Sequence, residues 1–128
     1  MFCIIGVGKM LYAARMAATT LAEQGVSVTV WDPRIVKPLD AEMLADAARH
    51  HLVVTIEDGL RDGGVGSAIA DALRDLAPTG GPSVRVLGVP SAYLPHGKPD
   101  DLLTQLGLDT EGVLSEVSTW LHSSADTR

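Results

Sequence analysis

Two neighbouring acids and a cluster of glycines are the residues of this chain best placed to do chemistry: Glu57 and Asp58, then Gly63, Gly64, Gly66 and Ser67. Paired carboxylates can move protons, and a glycine-rich turn opening a helix can hold an anion on free N–H groups. Each feature also has a plainer reading. Adjacent residues on a continuing strand point to opposite faces, so Glu57 and Asp58 do not make a ready acid–base pair. One of them is expected to hold the glycine turn by accepting backbone N–H bonds, while the other faces solvent or a partner. No lysine follows the last glycine, so the turn is not a phosphate loop of the Walker type. Glycines also let a helix start approach a neighbouring backbone closely, and packing or an interface is the preferred reading here.

A second constellation is Gly6-Val7-Gly8 with Asp32 further on. Glycines at a strand-to-helix turn and an acid after the next strand outline a dinucleotide site, but Leu11 stands where the third glycine of that fingerprint belongs. The four histidines, His50, His51, His96 and His122, show no metal-ligand spacing, and no serine sits in a nucleophile-elbow pattern. His50 and His51 end a helix, where positive charge is mildly favourable. The single cysteine, Cys3, excludes an intramolecular disulfide and reads as a small buried hydrophobe.

These residues need elements to position them, and the apolar spacing supplies an alternating series. Phe2 to Val7 is a strand, Lys9 to Gln24 a helix closed by Gly25, and Val26 to Trp31 a strand with two unlike faces. Asp40 is placed to cap a helix over Ala41 to His50. Leu52 to Ile56 is a buried strand, and Val65, Ala68, Ile69, Ala72, Leu73 and Leu76 form one helical stripe. Ser83 to Val89 is a fourth strand and Pro90 to Pro99 a loop with Tyr93 and His96. A short helix around Asp100 to Leu106 follows. A last helix capped by Asp109 or Thr110 turns Val113, Leu114, Val117 and Leu121 inward. The series predicts a three-layer α/β/α sandwich with a mostly parallel sheet, its first and third strands central. Residues 1–122 are expected to form the domain and residues 123–128 a flexible tail.

At 128 residues the chain fits one domain, and 46% hydrophobic residues suit a folded core. A net charge of −6 without a basic cluster argues against nucleic acid and acidic membrane surfaces. No apolar run nears the roughly 18 residues of a membrane span, and Met1 to Met10 lacks a signal-peptide layout. A cytoplasmic location is the expectation.

Three stretches carry a family resemblance. Val28-Thr-Val-Trp-Asp-Pro-Arg-Ile-Val-Lys-Pro-Leu-Asp40 resembles a segment of the transketolase C-terminal domain. Val53-Val-Thr-Ile-Glu-Asp58 with Gly63-Gly-Val-Gly-Ser67 resembles that domain's central motif. Gly88-Val-Pro90 through Tyr93, Pro95, His96 and Gly97, then Leu106-Gly-Leu-Asp-Thr-Glu-Gly112, looks like the ending of 1-deoxy-D-xylulose-5-phosphate synthases. The first two are shared with transketolases and 2-oxoacid dehydrogenase β subunits, so the C-terminal part of either is an alternative.

The resemblance implies the C-terminal domain of a thiamine-diphosphate enzyme that condenses pyruvate with glyceraldehyde 3-phosphate, releasing carbon dioxide, early in isoprenoid precursor synthesis. In that family the domain builds the homodimer and flanks the active-site entrance, while preceding domains hold thiamine diphosphate and magnesium. The chain carries no Gly-Asp-Gly followed at distance by Asn, the pattern that holds diphosphate and metal. It also starts directly at the first apolar strand. A separately encoded subunit, a truncated gene product or an excised domain is therefore expected, inactive alone and binding no cofactor alone. Its partner is then a second copy or the thiamine-binding domains. Glu57, Asp58, Gly63, Gly64, Gly66 and Ser67 are expected to form a contact edge, with Tyr93 and His96 nearby. A freestanding nucleotide or anion binder using Gly6, Gly8 and Asp32, or the turn from Gly63 to Ser67, is the other reading.

Overall fold

The computed structural model describes residues 2–34, 38–90 and 103–126, with the side chains of Leu60 and of residues 123–126 outside that description. Among the described residues, four strands, β1 (Phe2–Gly6), β2 (Val28–Trp31), β3 (Leu52–Leu60) and β4 (Ser83–Val89), form one sheet in the order β2-β1-β3-β4. All three neighbouring pairs are parallel. Parallel neighbours need crossovers, and helices supply them: α1 (Leu11–Glu23), entered through a 3-10 turn at Gly8–Met10, α2 (Ala41–Ala47) and α3 (Val65–Leu76). The last helix, α4, runs Thr110–Asp126, past the boundary at residue 122.

β1, and β3 from Leu52 to Ile56 apart from Thr55, are apolar on both faces, and both faces are covered. Phe2, Ile4, Leu52, Val54 and Ile56 pack on Ala14, Ala17 and Leu21 of α1 and on Val113 and Val117 of α4. Cys3, Ile5 and Val53 face the other way, onto Met43 and Ala47 of α2 and Ile69 and Leu73 of α3. The result is the three-layer sandwich read from the sequence. The small residues of α1 allow its close seating. At Gly6 a Cβ would stand 2.8 Å from the Leu11 Cα and 2.9 Å from the Ala14 Cβ. Trp120 of α4 seals that layer edge-on against Phe2, ring centres 5.2 Å apart.

The caps follow local chemistry. Asp40 Oδ1 accepts the N–H groups of Glu42 at 2.8 Å and Met43 at 3.4 Å. Of the two candidates for α4, Asp109 is the one that caps, accepting the Gly112 N–H at 2.9 Å. Two boundaries depart from the sequence expectation. β3 continues to Leu60 instead of ending at Ile56. α2 ends at Ala47, because Arg49 and His50 donate to the carbonyls of Asp46 and Ala47, three residues back, and tighten the last turn. Within the short helix expected around Asp100 to Leu106, residues 103–105 are helical. Gly107 closes that turn, its N–H on the Thr104 carbonyl.

Candidate functional site

The site sits where β3 leaves the sheet. Ile56 is paired with Leu87 and Leu60 with Val89, so β3 advances four residues while β4 advances two. The extra length bulges outward, which bends the strand and re-aims its side chains. Gly88 makes room beneath: a Cβ there would meet the Arg61 Cα at 2.8 Å, and the Arg61 N–H donates to the Val89 carbonyl at 2.9 Å. The bulge carries the two acids to opposite sides, as strand parity requires.

Glu57 turns inward under α3 and is 3% exposed. Its Oε2 accepts the Val65 N–H at 3.1 Å and its Oε1 the Gly66 N–H at 2.8 Å. These are two of the donors that a helix start leaves without an intrahelical partner. The carboxylate also sits at the positive end of the helix dipole. Gly64, the residue preceding α3, has no side chain to do this work, so a strand residue replaces the usual cap.

The glycines make that geometry possible. At Gly66 a Cβ would stand 2.5 Å from Thr55 Oγ1, 2.7 Å from Val86 Cγ1 and 3.2 Å from Glu57 Oε1. Only a bare backbone brings the first turn of α3 down onto β3 and β4. Gly63 lies at φ +82°, a left-handed conformation that reverses the chain before the helix. Ser67 ties the turn together: its hydroxyl donates to the Arg61 carbonyl and accepts the Gly63 N–H at 3.3 Å. Thr55, wholly buried on the same face of β3, has a hydroxyl without a hydrogen-bond partner.

Asp58 faces outward and pairs with Lys9 at 3.7 Å, both side chains about half exposed. The pair joins the carboxyl ends of β1 and β3, where the chain's connections diverge to the two halves of the sheet. That crevice is the usual ligand position in open α/β sheets. Thus Glu57, Gly66 and Ser67 come together as an internal clasp, and Asp58 and Gly63 stay on its exposed side. Tyr93 and His96 lie outside the described residues. The dinucleotide outline is looser: Gly6 serves the seating of α1, and Asp32 is paired with Arg34 at 3.4 Å.

The sequence reading missed a polar cluster on the opposite flank. Trp31 Nε1 donates to Asp46 Oδ2 at 2.9 Å, and Arg49 donates to Asp46 Oδ1 at 3.0 Å. His50 is buried, with Nδ1 2.8 Å from the Asp46 carbonyl and Nε2 3.3 Å from Thr29 Oγ1. The indole N–H, followed by Arg49 and His50, holds the Asp46 carboxyl below its ordinary range, against an opposing push from burial. The spacing of Asp46, Arg49 and His50 at three and four residues was the available signal. Burial pushes the Cys3 thiol up to about 12, with the Asp46 charge adding to it, so Cys3 is core rather than nucleophile.

What can this arrangement do? Among the described residues no group of three or more His, Cys, Asp or Glu could hold a metal ion. The glycine turn does not fit a diphosphate: the N–H groups of Val65 and Gly66 are already spent on a carboxylate, whose charge repels a second anion. No helix of the described residues is long and apolar enough to cross a membrane. The geometry offers a braced platform with an exposed rim.

Comparison with known proteins gives that platform its kin. Residues 2–113 match the family described as "Transketolase, C-terminal domain". The 1-deoxy-D-xylulose-5-phosphate synthase of Thermobifida fusca is 44% identical over 123 residues, which are 96% of this chain and 19% of that protein. The synthase of Magnetococcus marinus is 38% identical over 92% of this chain, again 19% of the relative. The chain therefore spans about a fifth of the curated relatives it matches. Among solved structures, one described as a split gene transketolase, inactive beta4 tetramer, superposes with a TM-score of 0.78 at 33% identity. It is matched over 92% of this chain and 37% of the other. The transketolase of Campylobacter jejuni, at 12% identity and a TM-score of 0.62, shares the fold over 92% of this chain and 16% of its own. With a family match across nearly all its strands and helices, the chain belongs to the transketolase C-terminal domain family.

Proposed function

We propose that this chain serves as the C-terminal domain of a thiamine-diphosphate enzyme of the 1-deoxy-D-xylulose-5-phosphate synthase type, acting by association and not by chemistry of its own. The observation that carries this is the 44% identity across 96% of the chain to a segment that forms 19% of such a synthase. In the assembled enzyme pyruvate and glyceraldehyde 3-phosphate condense with loss of carbon dioxide, an early step toward isoprenoid precursors. Thiamine diphosphate and magnesium are held by other domains and supply the carbanion chemistry there. The partner is a second copy or the thiamine-binding domains, and the beta4 assembly named for the split gene transketolase supports self-association. The site is cytoplasmic in this reading. The charge of −6 without a basic cluster supports partners other than nucleic acid or membrane.

Within this reading the contact edge is the rim of the clasp: Asp58 and Gly63 exposed and Gly64 partly so, braced by Glu57, Gly66 and Ser67 of the clasp itself. Tyr93 and His96 join that edge on resemblance. The test is Gly64→Leu. Gly64 is extended, at φ −88° and ψ −166°, so leucine adds a bulky group at the turn without backbone strain, and the unfolding midpoint reports separately whether the fold is kept. Weaker assembly at an unchanged unfolding midpoint is the expected result. Unchanged assembly and activity place the contact elsewhere.

A further inference from the structure

We draw no further inference here: the strongest candidate, the hollow of about 540 Å³ between α3 and β4, where Leu73, Val84 and Val86 meet Arg74 and the turn at Gly80 and Gly81, is an open, mixed polar and apolar groove for which nothing in the structure shows what occupies it.

Discussion

Glu57→Gln is the sharpest perturbation of the clasp, because it keeps the side chain's shape and removes its charge. One oxygen still accepts an N–H, but the amide NH₂ now faces the other donor, where Oε1 and Oε2 stood 2.8 and 3.1 Å from the Gly66 and Val65 nitrogens. A hydrogen bond to a charged group contributes about 1.5–3 kcal/mol. Loss of the attraction to the helix start removes about 0.5–1 kcal/mol more. The neutral amide is easier to bury by about 1 kcal/mol, which offsets part of this. The net cost is about 2 kcal/mol, a large share of the roughly 5–15 kcal/mol that holds a domain folded. Urea unfolding reads it directly: with a slope of about 2 kcal/mol/M, the midpoint falls by about 1 M. Asp58→Asn is the control, since its half-exposed pair with Lys9 contributes little, at most about 1 kcal/mol. A Glu57→Gln midpoint within about 0.2 M of the parent, or equal losses in both variants, refutes the clasp.

Other perturbations probe the neighbouring chemistry. Gly66→Ala forces a methyl to within 2.5 Å of the Thr55 hydroxyl and 2.7 Å of a Val86 methyl, so unfolding should show a loss of about 2 kcal/mol; a neutral result means α3 sits further from the sheet. Thr55→Val replaces a buried hydroxyl that has no partner and should raise stability by about 1 kcal/mol, whereas a marked loss would reveal a hydrogen bond at that oxygen. Asp46 has a folded-state value held below its ordinary 3.8, so it stabilises the fold above that pH, and the contribution fades as pH falls through the lowered value. Acid titration of stability should therefore decline less steeply below pH 3.8 in Asp46→Asn than in the parent; parallel curves contradict the assignment.

The layer structure was legible because β1 and β3 announce themselves. Ile4 and Ile5, like Val53 and Val54, are consecutive apolar residues, which a half-exposed strand would not carry. Asp40 was equally plain, since capping is local chemistry. The central acids were half legible. Parity showed that they part ways but not which turns inward, because Val54 and Ile56, on the face of Asp58, are as buried as Val53 and Thr55, on the face of Glu57. The extension of β3 was not legible, because the bulge depends on Gly88, a residue of another strand that admits Arg61. Nor was the burial of His50, whose ring reaches Thr29 across 21 positions of sequence. Local spacing showed a helix end there, and long-range packing decided what the end was used for.

The measurement that tests the central claim most directly is the solution mass of this chain, alone and then mixed with a polypeptide carrying the thiamine-binding domains, with decarboxylating condensation of pyruvate assayed on the mixture. A complex that gains activity on mixing, and loses both mass and activity in Gly64→Leu, is the predicted result. A chain that stays free of such a polypeptide, leaving its activity unchanged, contradicts the account.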